Sequence, residues 1–227
     1  MGRTRRIFTK VSVILPTCNR YEALEQNLVT LREQNYPDYE ILICDDSHIS
    51  YVKENRKKIN DIQDLSKIRY FYTAKYDSEG VKTYGLATAR NCGIVNALGS
   101  VLVFLDERIA PLDATLLTVF AEKVLEDHKR KLWLFGDKGA DPPKTAFVEN
   151  CSAVWRQHII DAGMFNEQIN KYGAMTREIY ARYSRNGFEF LYWPAAKAMP
   201  LCKSRDRERK EKEIDESRDF LKKIGYH

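Results

Sequence analysis

The sequence has no long apolar run. No window reaches the roughly eighteen consecutive apolar residues that a membrane-spanning helix needs, so no spanning segment is expected. It also lacks paired cysteines. Cys18, Cys44, Cys92, Cys151 and Cys202 are scattered and odd in number, and none forms a C-x-x-C pair. That excludes a disulfide scaffold and points to reduced thiols in a cytoplasmic protein. His48, His128, His158 and His227 are equally dispersed, so no Cys/His zinc site is expected. Internal repeats and low-complexity tracts are missing, which excludes solenoids and biased, unstructured tracts. The N-terminal stretch carries Arg3, Arg5, Arg6 and Lys10. Pro16, Asn19 and Arg20 then interrupt any apolar core, so no secretory leader is expected. A strong charge bias is absent too: 37 basic against 32 acidic residues leave +5. Such a mild excess favours anionic partners in general, nucleotides and membrane surfaces included.

What is present alternates between strands and helices. Val11–Leu15 is a β-branched run stopped by Pro16, and Glu40–Cys44 is a second, closed by Asp45-Asp46-Ser47. Between them, Leu24, Leu28 and Leu31 recur at helical spacing. Residues 51–64 read as a polar helix and 68–72 as a third strand. Residues 84–98 read as a helix ended by Gly99, which suits the left-handed residue past a helix C-terminus. Val101–Leu105 is a fourth strand, closing on Asp106-Glu107-Arg108. A helix over 111–127 and a strand over 132–135 follow. Residues 155–162 and 177–186 read as helices, and Phe188–Trp193 as an aromatic strand. The chain from Lys203 onward is highly charged. It reads as a surface helix over 213–221 anchored by Ile214, Phe220, Leu221 and Ile224. The pattern predicts an α/β fold, a mostly parallel sheet flanked by helices. Three strands end in polar groups, at Thr17-Cys18-Asn19, Asp45-Asp46 and Asp106-Glu107, where such sheets bind ligands.

Four stretches carry a resemblance. Val11 to Arg20 resembles the opening strand and P-T-x-N-R turn of family 2 glycosyltransferases, the inverting group with the GT-A, Rossmann-like fold. Gln34 to Ser47 resembles that family's second strand and D-D-x-S signature. Gly85 to Ile94 resembles its G-L-x-x-A-R-N-x-G helix, and Gly99 to Asp106 the strand leading to its acidic metal motif. The resemblance implies one domain over 1–227, with a nucleotide-sugar-binding half over about 10–110 and an acceptor-binding half over about 111–202. A charged C-terminal helix spans about 203–227. It implies donor-binding roles for Pro16, Thr17, Asn19, Arg20, Asp45, Asp46, Arg90, Asn91 and Asp106. Asp46 suits a uracil imide N–H or ribose hydroxyls, and Thr17 and Asn19 add short polar groups. Arg90 suits a phosphate or an acidic neighbour. A divalent cation, Mn2+ or Mg2+, is implied at Asp106 and Glu107, where it stabilises the leaving diphosphate. The implied donor is a nucleoside-diphosphate sugar, UDP-linked. The implied acceptor is a glycan, a lipid-linked molecule or a protein. Nucleic acid is not an expected partner. A nucleotidyltransferase would carry a glycine-rich loop near its start, and residues 11–25 contain no glycine.

The second half departs from that pattern. The third metal-motif position is Arg108, so either Glu107 supplies the second carboxylate or Arg108 neutralises phosphate itself. Counting back from Arg182 puts Thr176 where the family's Asp base stands, with Met175 beside it. Threonine alone is no general base near neutral pH. Displaced acids, Glu167 or Glu178, are the candidate bases. Glu178 lies about 200° around an ideal helix from Thr176. Phe165-Asn166-Glu167 has also lost one acid of the family's F-D-E element. The alternative is a catalytically inactive GT-A-fold binding or scaffold protein. Trp155 matches a stretch that lines the family's acceptor side. Peripheral association with a membrane or a protein through the charged C-terminus is a further expectation.

Overall fold

The computed structural model describes residues 9–61, 65–140, 143–169, 173–201, 207–223 and 225. Its strands are β1 (Val11–Thr17), β2 (Tyr39–Asp45), β3 (Ile68–Tyr72), β4 (Val101–Leu105), β5 (Ile109–Pro111), β6 (Leu132–Asp137), β7 (Cys151–Trp155) and β8 (Glu189–Pro200). Its helices are α1 (Tyr21–Arg32), α2 (Ile49–Asn60), α3 (Leu86–Asn96), α4 (Leu116–Glu126), α5 (Arg156–Asp161), α6 (Ala174–Arg185) and α7 (Arg207–Lys223). All eight strands join in the order β3-β2-β1-β4-β7-β6-β8-β5. The β3-β2-β1-β4 half is parallel, as the alternation predicts. Beyond it β7 runs antiparallel to both β4 and β6, while β8 returns parallel to β6.

The wholly buried runs of β1, β2 and β4 are covered on both faces. One face packs under α1 and α4, through Leu24, Leu28, Leu117 and Phe120. The other gathers Ile14, Phe104, Ile94 and Ile179 around Trp133, whose indole N–H donates to Ser152 Oγ at 3.0 Å. Leu221 of α7 is buried in this second layer and Phe220 partly so, as the anchor reading expects. Ile224, and the side chain of Ile214, lie outside the described residues.

Four sequence expectations need correction. The helix read over 155–162 begins at Arg156, because Cys151–Trp155 is a strand between β4 and β6. The helix read from residue 111 starts at Leu116, because Ile109–Pro111 pairs with β8. Gly99 is not left-handed. It is needed for close approach: a Cβ there would meet Lys10 O at 2.5 Å and Ser12 N at 2.7 Å. Trp155 pairs with Val101 at the start of β4 and packs against the α4 layer beside His128, with ring centres 5.6 Å apart, so it stands at the opposite end of the sheet from the carboxyl end of β4. Among the described residues, no helix is long and apolar enough to cross a membrane.

Gly99→Ala therefore pushes a methyl group into backbone that has no room to move. We expect overpacking to cost about 1–3 kcal/mol. Thermal unfolding checks this, the variant melting several degrees below the wild type.

Candidate functional site

The carboxyl ends of β1, β2 and β4 converge on a cleft of about 180 Å³. Strand order changes direction at β1: the chain runs outward from β1 to β2 and β3, then crosses back through α3 to β4 on β1's other side, so loops diverge there. Pro16, Thr17, Cys18 and Arg20 come from the turn after β1. Asp46 follows β2, Lys82, Tyr84 and Leu86 come from the approach to α3, and Asp106, Glu107 and Arg108 follow β4. A larger hollow, about 410 Å³, lies against α1 around Tyr21, Glu25 and Lys58, away from these strand ends.

The cleft thus brings together Pro16, Thr17, Arg20, Asp46, Asp106 and Glu107 of the residues singled out in the sequence. Asn19 braces it instead. Its backbone adopts φ 54°, a conformation asparagine tolerates better than most residues. Its N–H donates to Ser47 Oγ at 2.8 Å, and its Oδ1 accepts from His48 N at 3.1 Å. The β1 turn is thereby tied to the end of β2. Asp45 lies beneath the cleft, fully buried. It accepts from Ser47 N at 2.8 Å, Tyr70 Oη at 2.5 Å and Asn55 Nδ2 at 3.2 Å.

Asp46 turns the other way. Its Oδ2 accepts from Lys82 Nζ at 3.0 Å and Gly85 N at 3.1 Å. Its Oδ1 is buried without a partner, as is Thr17 Oγ1. Burial raises the Asp46 carboxyl above its ordinary value, against the pull of Lys82 and the Gly85 N–H. Only glycine fits at position 85, since a Cβ would stand 2.3 Å from Asp46 Oδ1. An unsatisfied buried acceptor is costly, so this oxygen is a candidate to take a donor from a ligand.

At the β4 end, Glu107 lies 3.4 Å from Arg20 and 3.9 Å from Arg108. Burial and the neighbouring Asp106 charge still push its carboxyl up to about 7. Such a crowded carboxylate pair suits a hard cation, which accepts one or two carboxylates alongside phosphate oxygens. Among the described residues, no group of three or more acids, histidines or cysteines forms a metal cage. Asp106 and Glu107 would thus supply only part of such a cation's coordination.

Arg90 does not reach into the cleft. It is 1% exposed and bridges two carboxylates, Asp106 Oδ1 at 3.1 Å and Glu149 Oε1 at 2.7 Å. Its guanidinium lies over the Phe165 ring, 5.2 Å from the centre, and against the Met175 sulfur. Asn91 clamps the segment after α5, donating to Phe165 O and accepting from Phe165 N, both at 2.9 Å. Glu167 accepts from Lys75 at 2.5 Å, Thr88 at 2.7 Å and Asn91 at 3.0 Å. Glu178 is wholly buried on α6, held by Arg182 at 2.5 and 3.2 Å. Neither Glu167 nor Glu178 lines the cleft.

Sequence reasoning missed Lys82, Tyr84 and Glu149. Lys82 and Tyr84 precede the Gly85-Leu86 motif closely enough to be suspected. Glu149 had no such signal, because its place follows from β7 lying beside β4.

Burial would raise the Glu149 carboxyl, but the Arg90 charge and the Thr176 hydroxyl hold it below its ordinary 4.5. A depressed carboxyl stabilises the fold above that ordinary value, and the contribution is lost as pH falls through the folded value. Arg90→Met reverses the sign, because Asp106 and Glu149 are left without their shared cation. We expect a loss of about 3–5 kcal/mol at pH 7. Lowering the pH from 7 to 5 then narrows the gap to wild type. Urea unfolding at the two pH values measures it, and a gap that widens on acidification would contradict the bridge.

The comparisons agree with this geometry. A family model described as Glycosyl transferase family 2 matches residues 12–129. The GalNAc(5)-diNAcBac-PP-undecaprenol beta-1,3-glucosyltransferase of Campylobacter jejuni is 30% identical over 181 residues, covering 70% of this chain and 56% of its own. An uncharacterized glycosyltransferase of Rickettsia felis is 40% identical over 103 residues, 43% of this chain and 14% of that one. The chain thus spans about half the length of the first relative and about a seventh of the second. In fold it is similar to the mannosyltransferase PcManGT of Pyrobaculum calidifontis, solved in complex with GDP-Man and Mn2+ (TM-score 0.75, 17% identity, 96% of this chain and 65% of that one). It is also similar to S. aureus TarS 1–349, solved with UDP-GlcNAc (TM-score 0.70, 15% identity, 93% and 65%). With its sheet order, its cleft and the family match over half its length, the chain belongs to glycosyl transferase family 2 and has the GT-A fold.

Proposed function

We propose that this chain transfers a sugar from a nucleoside-diphosphate sugar, UDP-linked, to a hydroxyl group of an acceptor. The observation that carries the reading is the unpartnered Asp46 Oδ1 at the cleft wall. A nucleoside offers it an imide N–H or a ribose hydroxyl, and Thr17 Oγ1 adds a second open position. Arg20, Lys82 and Arg108 line the same cleft, where they would meet the diphosphate. Asp106 and Glu107 would hold a divalent cation together with that diphosphate. When bound, the cation supplies charge stabilisation to the departing nucleoside diphosphate. Arg108 adds a fixed positive charge where the family pattern has a third acid.

The acceptor is a glycan, a lipid-linked molecule or a protein. The name of the Campylobacter relative favours a lipid-linked glycan. Location in the cytoplasm, with peripheral contact to a membrane through the basic residues of the C-terminus, is consistent with such an acceptor.

Calorimetry and thermal unfolding with UDP and GDP, each with Mn2+, Mg2+ or chelator, test the donor site. A nucleotide at about a hundred times its Kd stabilises by about 2.7 kcal/mol. For a chain of this size that is roughly 5–10 °C. Asp46→Ala is expected to weaken nucleotide binding about 10–100-fold, the loss of a hydrogen bond to a charged acceptor.

The metal test is separate. With two carboxylates and no third protein ligand in the described cleft, Mn2+ alone is expected to bind weakly. Nucleotide and Mn2+ together are expected to stabilise more than the two effects added. Equal, independent shifts would sink the shared-cation reading. Release of nucleotide from UDP- and GDP-sugars then separates a transferase from an inert binding protein, which would be protected by nucleotide but release none.

A further inference from the structure

Attack by a hydroxyl group needs somewhere for its proton to go. The two acids that the sequence offered are committed elsewhere. Glu178 is buried with Arg182, which also bonds the carbonyls of Ala162 and Met164 at 2.5 Å each. Glu167 is taken up by Lys75, Thr88 and Asn91.

Glu149 is placed differently. The carbonyl of its neighbour Asn150 accepts from Asp106 N at 3.3 Å, so pairing of β7 with β4 sets it beside the acidic end of the cleft. Arg90 joins it to Asp106. Its other oxygen, Oε2, accepts from Thr176 Oγ1 at 2.5 Å. Thr176 sits in the first turn of α6 and lines a second hollow, of about 490 Å³, with Phe147, Arg177, Tyr180 and Phe190. Tyr180 is 54% exposed there, its ring 4.9 Å from that of Phe190. Glu149 is only 5% exposed, so a molecule entering this hollow meets Thr176 first. Three hydrogen-bonded steps, Asp106 to Arg90 to Glu149 to Thr176, connect the two cavities.

We propose that Thr176 and Glu149 form a two-residue proton relay for an acceptor hydroxyl bound in this second hollow. The proposal rests on the glycosyl-transfer reading above. The acceptor oxygen bonds to the anomeric carbon. The bond from that carbon to the diphosphate oxygen breaks, and its electron pair leaves with the nucleoside diphosphate. The acceptor proton passes to Thr176 Oγ1 as the Thr176 proton passes to Glu149 Oε2. The concerted step avoids a free threonine alkoxide, which the lone hydroxyl could not sustain. Thr176 is the catalytic residue, because it touches the acceptor. Glu149 acts through it, and Arg90 keeps Glu149 ionised and aimed. After the product leaves, the proton returns to solvent by the reverse path.

The test uses the full chain with Mn2+ and UDP-glucose, UDP-N-acetylglucosamine or GDP-mannose, reading nucleotide release with water as acceptor. Thr176→Val leaves the Glu149–Arg90 pair in place, and Glu149→Gln keeps the shape of the carboxylate. Each is expected to lower kcat about 100-fold, within the usual span for general base catalysis. KM for the donor and protection by nucleotide should stay within about twofold. Thr176→Ser should recover kcat to within tenfold of wild type. The double variant should be no slower than either single, because the two residues act in series. Thr176→Val turning over within threefold of wild type would overturn the relay alone, as would additive losses. A wild type that nucleotide protects but that releases none overturns the glycosyl-transfer reading and the relay with it.

Discussion

The buried guanidinium of Arg90 is the constraint on which the second half of the structure hangs. It stands on α3, reaches the end of β4 through Asp106, the approach to β7 through Glu149, and α6 through Met175. A cation this deep is tolerated only with partners, and two carboxylates supply them. Burial works against its charge, but Glu149 and Asp106 more than offset that and hold it protonated. The arrangement is mutual: each carboxylate would otherwise be a buried charge beside a like charge. Geometry at the cleft's acidic end and geometry at α6 are therefore not independent, because one side chain fixes both. Of the two roles the resemblance left open for Arg90, phosphate partner or holder of an acidic neighbour, the contacts match the second.

The paired acids after β2 illustrate how strand geometry divides labour. Successive side chains on a strand point to opposite faces. Asp45 faces Asn55 of α2 and Tyr70 of β3, and it locks the sheet edge. Asp46 lines the cleft, where Lys82 and the Gly85 N–H hold one oxygen, while the other is buried against Gly85 without a hydrogen-bond partner. A single acid could not do both. The requirement for glycine at 85 follows from the same spot, since the start of α3 must approach the carboxylate more closely than any side chain allows.

Much of the first half was legible because its order is local. The β1, β2, β3 and β4 runs are short, apolar and bounded by turn residues, and each is separated from the next by a helical period. Their polar ends predicted the cleft, and Thr17, Cys18, Asp46, Asp106 and Glu107 of those ends line it. The rest was hidden for identifiable reasons. Cys151–Trp155 abuts a helix with no turn between, so nothing in the sequence marks it off as a strand and Trp155 falls into the helical reading. Ile109–Pro111 is three residues long and forms only because β8 extends to meet it. Glu149 becomes visible only when β7 is known to run antiparallel beside β4, a pairing across some fifty residues. Long-range pairing leaves no periodic trace in the chain.

The electrostatics of the cleft bear on the proposed pairing of a metal with a nucleotide. Arg20 is already spent on Glu107, and Lys82 on Asp46. Arg108 stands near Glu107 as well. Three cations thus face three acids, Asp46, Asp106 and Glu107, and the empty cleft is close to neutral. A diphosphate brought into such a setting finds cations whose charge is already shared. Its own charge then needs a further positive partner, or Arg20 and Lys82 must leave their carboxylates. Burial first, and the Asp106 charge second, push the Glu107 carboxyl up to about 7 despite the two guanidinium groups nearby. A divalent ion held by Asp106 and Glu107, as proposed above, would supply that positive charge and would leave Arg20 and Arg108 available to the phosphate. Because its cations are already paired with acids, the cleft by itself has little positive charge to spare for a diphosphate.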